Sequence, residues 1–282
     1  MGAFKIITAD ERMVTQDGIK GVIFGPAKIG KTSLLWTMDP GTTLFVDLEA
    51  GGLSVQGWPG DSVEVRTWEL ARDLACFLGG PNPAMRADQN YSQAHYDAIA
   101  DTFHAGMHPG KYKTIFVDSI TVASRLCFQW GTGQPEAFSE KTGKPDVRGT
   151  YGLLGREMIA WLTQLQHIKD RNIWFVGLLD AKKDDFGRIT HEPQIEGSKT
   201  GLELPGIMDQ VVTMTELVSE DGKPFRAFVC TRPNPWGYPA GDRSCKLEQT
   251  EPPHLGQLME KIKTGEKRNP AEYFYTLGDN NE

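Results

Sequence analysis

One segment near the amino terminus carries the strongest chemistry in the chain. Gly25-Pro26-Ala27-Lys28-Ile29-Gly30-Lys31-Thr32, followed by Ser33, matches the pattern G-x-x-x-x-G-K-[ST]. Glycines in such a loop let backbone N–H groups turn inward as a nest for an anion, and a helix opening at Lys31 would aim its positive end at the same place. Lys31 would set a compact cation on the outer phosphates, and the Thr32 hydroxyl would reach Mg2+. The expected chemistry is the binding of ATP with Mg2+, with Gly25 to Ser33 as the cradle.

Two carboxylates stand where they could serve that site. Asp118 ends the apolar run Thr114-Ile-Phe-Val-Asp118, as the carboxylate of a Walker B strand does, and with Thr32 would hold the metal's water shell. By itself the same Asp could be a turn or N-cap residue. Glu49 follows the run Thr43-Leu-Phe-Val-Asp47-Leu48, at the carboxyl end of a strand, where ligands gather in open α/β sheets. A carboxylate there can orient an attacking water. Its bland alternative is a solvated strand end before a glycine turn. Asp47 alternates with Glu49, so both side chains could reach one face.

These groups need a scaffold that brings strand ends together. Apolar runs at 18–24, 43–48, 62–67, 113–117 and 172–179 read as strands covered on both faces. Helix-length segments lie between or beside them at 31–38, 68–78, 91–105, 119–130 and 152–169. In the last, Leu154, Met158, Leu162, Leu165 and Ile168 recur at helical spacing. Alternation of strand and helix implies right-handed βαβ units and a mostly parallel sheet. Beyond Gly201 the pattern changes to a hairpin, 210–218 and 224–230 around Glu220-Asp221-Gly222-Lys223, then a helix at 255–262. Long polar loops are expected at 79–90, 131–149 and 181–198.

Composition narrows the class. The chain has 282 residues with 30 basic against 37 acidic ones, a net charge of −7, which excludes a wholly basic nucleic-acid coat. Four cysteines, at 76, 127, 230 and 245, and six histidines show no metal-ligand or disulfide spacing. The first residues mix charges into apolar positions, unlike a signal peptide, and no apolar stretch is long enough to span a bilayer. A cytoplasmic protein without a membrane partner is the default expectation.

With the motifs in place, residues 18–263 resemble the RecA-like P-loop ATPases. TLFVDLEAGG looks like the strand bearing their catalytic glutamate, IFVDSITVAS like their Walker B strand, and NIWFVGLLD like their sensor strand. GPAKIGKTS, GLELPGIMDQVVTM, TRPNPWGYPAGDRS and EPPHLGQLMEKI are similar to phage RecA-like single-strand annealing ATPases. The resemblance implies an α/β fold with a RecA-like P-loop NTPase core, a mostly parallel sheet flanked by helices and a C-terminal antiparallel extension. It implies Lys31 and Thr32 as the P-loop pair, Glu49 as the water-activating glutamate and Asp118 as the magnesium carboxylate. Asp180 stands where the sensor amide is usual. Arg243, in Gly241-Asp242-Arg243, corresponds to the Arg of a Lys-x-Arg finger that hexameric relatives insert into a neighbour's site; the Lys is missing.

The resemblance further implies DNA recombination by single-strand annealing in a phage, a homo-oligomeric ring or filament, and possible cooperation with a phage or host single-strand DNA-binding protein. Single-stranded DNA would lie along two loops, one with Lys141, Lys144, Arg148 and Tyr151, the other with Lys182, Lys183, Arg188, His191 and Lys199. Interleaved acids such as Glu140, Asp146, Asp184, Asp185 and Glu192 keep open the reading of plain solvated loops. Trp236 and Tyr238, among Pro233, Pro235 and Pro239, suit an adenine-stacking wall, a subunit contact or a surface loop. The expected organisation is an N-terminal extension at 1–17, the ATPase domain at 18–263 and a polar tail at 264–282. A small-molecule or nucleoside kinase, or a nonenzymatic ATP-dependent assembly factor, is the alternative.

Overall fold

Side chains alternate across a strand, so a strand apolar at every position has to be covered on both faces. Strand β1 (Lys20–Gly25) shows the consequence: Val22 and Phe24 enter one core while Ile23 enters another. The computed structural model describes residues 6–14, 17–183, 187 and 189–267. Asp184, Asp185 and Arg188, the Lys199 side chain and the tail from 268 onward lie outside the described residues.

After a short helix α1 (Ala9–Val14), the chain runs β1, β2 (Thr43–Asp47), β3 (Asp61–Glu64), α2 (Trp68–Gly79), α3 (Gln93–His104), β4 (Thr114–Asp118), α4 (Ile120–Gly131) and α5 (Val147–Gln166). It continues through β5 (Asn172–Lys183), β6 (Ile189–Pro193), α6 (Ser198–Ile207), β7 (Gln210–Val218), β8 (Pro224–Val229), β9 (Gly241–Asp242), β10 (Thr250–Glu251) and α7 (Leu255–Thr264). The sheet order is β10-β8-β7-β1-β5-β4-β2-β3, with β6 on β5 and β9 on β7. Pairings among β7, β1, β5, β4, β2 and β3 are parallel, and those of β8, β9, β10 and β6 antiparallel. This is the expected α/β class, a mostly parallel sheet with an antiparallel extension.

One face is covered by α2, α4 and α5, where Leu154, Met158, Leu162, Leu165 and Ile168 are all buried as their spacing requires. Trp161 packs on Trp68 and Phe175 with ring centroids 5.7 and 5.4 Å apart, and such tilted pairs add about 1 kcal/mol each to area burial. The other face is covered by α7 and by the turn after the phosphate loop, through Leu34, Leu35, Phe116, Trp174, Phe228, Leu255 and Leu258.

Three expectations are corrected. The segment 31–38 is no α-helix but a six-residue 3-10 turn, Thr32–Thr37, closed by bonds from Leu34 N to Lys31 O and Met38 N to Leu35 O. Pro40 biases Asp39 away from helical backbone, and the Asp39 side chain instead accepts from Gly41 N and Thr42 Oγ1, so the helix has no room to lengthen. The stretch 181–198 is no open loop either. β5 continues to Lys183 and pairs with β6 from Leu179↔Pro193 to Lys183↔Ile189, with Lys182 and Glu192 ion-paired at 2.5 Å. The loop at 131–149 is shorter than expected because Asp146 caps α5 by accepting from Arg148 N, which puts Arg148 and Tyr151 on that helix.

Candidate nucleotide-binding site

In a parallel sheet every strand delivers its carboxyl end to the same edge. Here Asp47 of β2 lies beside Asp118 of β4, and Gly25 of β1 beside Leu178 of β5. The phosphate-type loop leaves β1 at that edge. Gly25 admits no side chain, since a Cβ there would stand 2.5 Å from the Met214 carbonyl oxygen. Gly30 has φ +105°, a conformation that favours glycine, and a Cβ on it would stand 3.4 Å from Arg226 Nη1.

Lys31 is only 9% exposed, and its ammonium donates to the carbonyls of Gly25 (3.0 Å) and Pro26 (2.9 Å). Burial pulls its pKa down while Asp118 and Glu49 push it back up. The Thr32 hydroxyl donates to Asp118 Oδ2 at 2.5 Å. Asp118 is 3% exposed, and burial pushes its carboxyl up to about 7, with the Glu49 charge adding to the effect and the Thr32 bond and Lys31 opposing it. A hydroxyl and a buried carboxylate in contact make the hard oxygen set that fits Mg2+, which favours the charged carboxylate that burial disfavours.

Glu49 is held from two directions. The Ser119 hydroxyl donates to Glu49 Oε1 while also capping α4 by accepting from Val122 N. Asp47 does not share the cleft, contrary to the simple alternation argument. Its Oδ1 accepts from the backbone N–H of Glu49 (3.0 Å) and Ala50 (2.8 Å), so it shapes the turn that presents Glu49. The next turn, Gly52–Val55, is tied to the 3-10 segment by Trp36 Nε1 donating to the Ser54 carbonyl. Lys31, Thr32, Glu49, Ser54, Asp118 and Leu178 together border a cleft of about 470 Å³.

Other candidates lie elsewhere. Leu178, not Asp180, is the β5 residue on the cleft; Asp180 is exposed in the β5–β6 hairpin opposite Glu192. Tyr238 packs on His191 at 4.3 Å between centroids, its hydroxyl bonded to Thr215 Oγ1. It joins the cluster of Ala227 and Val229, on the face of β8 away from Phe228 and the 3-10 turn, so it forms no wall beside the loop. Arg243 is at the opposite edge of the sheet in its own chain, since β9 pairs with the first residues of β7; its guanidinium meets Asp209 Oδ1 (3.3 Å) and the Gly206 carbonyl (2.5 Å). Motif reading gave Ser119 and Arg226 no role, and it expected Asp47 to share a face with Glu49 rather than to shape its turn. The cap position after Asp118 could have pointed to Ser119, whereas no local pattern marks Arg226.

Residues 17–244 match the AAA domain. The chain belongs to the AAA domain family. The matched residues include the loop Gly25–Ser33 and the strands β1 to β9 described above. Two similar solved structures are ATPases of bacterial type III secretion systems. One, a prototypical ATPase from pathogenic bacteria, is 15% identical with a TM-score of 0.36, over 71% of this chain and 51% of that one. The other, assembled EscN from enteropathogenic E. coli, is 16% identical with a TM-score of 0.34, over 70% and 43% respectively. This AAA domain chain thus spans about half the length of those ATPases or less. No curated protein matches it.

Proposed function

We propose that this AAA domain chain binds Mg-ATP in the cleft, hydrolyses it, and couples the cycle to binding and annealing single-stranded DNA as an oligomer in phage-type recombination. The observation that carries the ATPase part is the meeting of Lys31, Thr32, Asp118 and Glu49 on one cleft, with Ser119 fixing Glu49. Lys31 would exchange two carbonyl partners for phosphate oxygens. Thr32 and Asp118 would hold Mg2+, which when bound neutralises charge on the phosphates. Glu49 would orient water and take its proton as the new P–O bond forms and the bond to the ADP oxygen breaks.

Support for the DNA part comes from the cations on two surface elements. Lys141 and Lys144 are exposed on the turn before α5, and Tyr151 of α5 is 42% exposed and packs on Phe128. On the β5–β6 hairpin Lys183 is exposed, while Lys182 is already paired with Glu192. Summing weak cationic sites around an oligomer would raise affinity. Arg243 would act on a neighbour's phosphates; its exposed pair with Asp209 is worth at most about 1 kcal/mol, so leaving it costs little. We take 18–263 as the ATPase unit and the cytoplasm as its compartment. Among the described residues no helix is long and apolar enough to cross a membrane.

Titration with a labelled single-stranded oligonucleotide, with and without ATP, tests the reading. Binding that ATP strengthens and salt weakens is expected, together with faster pairing of complementary strands. ATP turnover indifferent to DNA, with no oligonucleotide binding at low salt, would remove the DNA role and leave an ATPase that serves another partner.

A further inference from the structure

The six-residue 3-10 turn after the loop aligns few peptide dipoles, so a nucleotide here gains less from the helix end than a full α-helix would give. Lys31 and the loop N–H groups then need another cation, and the chain supplies one beside them. Arg226 Nη1 stands 3.4 Å from where a Cβ of Gly30 would be, with the Met214 methyl at 3.6 Å. Arg226 comes from β8, opposite Glu216 of β7. Alternation puts it on the face of Phe228, the face of the 3-10 turn, whereas Ala227 and Val229 face the other way. The residue is exposed, and among the described residues no acceptor or carboxylate pairs with its guanidinium, although Glu216 sits directly across the ladder.

Which part of a nucleotide it would meet follows from the sheet order. Asp118 ends β4 and Glu49 follows β2, on one side of β1, whereas Arg226 approaches from β7 and β8 on the other. The terminal phosphate belongs beside the carboxylates, where metal and water would be held. The rest of the nucleotide must therefore run from that end toward β7–β8. We infer that Arg226 is a binding residue that clamps the non-terminal phosphates of a nucleoside di- or triphosphate from within the same chain. This rests on the ATP reading of the cleft and adds a second cation to it.

A contact to the non-terminal phosphates is made by ADP and ATP alike and does not change as the terminal bond breaks. For Arg226→Ala in the full chain, binding of fluorescent ATP and ADP analogues should weaken about tenfold for both, the scale of a charge-assisted contact, with kcat within about twofold of wild type. Arg226→Lys should recover part of the loss, since it restores a point charge without the fork. Because the clamp acts in its own chain, adding Lys31→Ala subunits should not restore affinity. Unchanged affinity for both nucleotides would overturn the inference, as would a loss confined to ATP, a kcat fall beyond about tenfold, or rescue by mixed subunits. Loss of binding in Lys31→Ala with normal binding in Arg226→Ala would overturn the clamp alone. Wild-type protein that binds neither nucleotide would overturn the cleft reading and the clamp together.

Discussion

Asp118→Asn should make the nucleotide-free protein more stable at alkaline pH. Burial raises the Asp118 carboxyl to about 7, whereas in the unfolded chain it returns to the ordinary range near 3.8. Below that range both states hold the proton, and the group contributes its full stability. As pH rises the unfolded chain ionises first, so stability falls until the folded carboxyl also ionises near 7, and is level above. One pKa unit is about 1.4 kcal/mol, so between about pH 5 and about pH 8 the wild type loses about 3 kcal/mol through this residue alone. Asparagine does not titrate, yet its amide oxygen can still accept from the Thr32 hydroxyl now at 2.5 Å.

The assay is thermal unfolding of both proteins across that range without nucleotide or metal. At about 2 °C per kcal/mol for a chain of this size, the Tm difference between variant and wild type should widen by about 6 °C toward the alkaline end. Every other group is common to both proteins and cancels in the difference. With Mg-ATP the order should invert, since the ion restores the value of the charge in the wild type only. Parallel Tm profiles, or an asparagine variant less stable at about pH 8, would refute the argument that a buried carboxylate charge is held here at a cost.

Lys31→Ala should abolish tight ATP binding while leaving the melting temperature close to wild type, because its ammonium satisfies only two loop carbonyls; calorimetry with ATP decides it. Glu49→Gln should bind ATP and hydrolyse it far more slowly, and turnover within about twofold of wild type would make Glu49 a strand-end surface residue. Arg243→Ala should bind nucleotide normally but lose hydrolysis in the assembly, and mixing it with Lys31→Ala subunits should restore ATPase where an intact loop meets an intact finger. No restoration despite verified co-assembly would leave Arg243 as the partner of Asp209 and Gly206 seen in its own chain.

What the sequence made legible is what repeats locally. Continuous apolar runs placed β1, β2, β4 and β5, because a strand covered on both faces has no polar position to spare, and helical spacing placed α5 through Leu154, Met158 and Leu162. That Lys31, Thr32, Glu49 and Asp118 would meet was legible because a parallel sheet delivers strand ends to one edge, where residues distant in sequence come together without a common motif. The failures share a cause, which is that backbone demand outranked pattern. The helix expected at 31–38 stopped at two short turns because Asp39 and Pro40 redirect the chain. Asp47 turned from the cleft because the N–H groups of Glu49 and Ala50 needed an acceptor. The polar stretch after β5 became a hairpin because two strands of alternating polar residues can satisfy each other's backbone at a sheet edge as water would satisfy a loop. Arg226 belongs to a third kind, a residue whose meaning is set only by β8 folding back along β7 over the Gly30 turn. The shortened turn and the added arginine are two sides of one electrostatic arrangement, since a loop with less helix dipole behind it has more need of a side-chain cation in front.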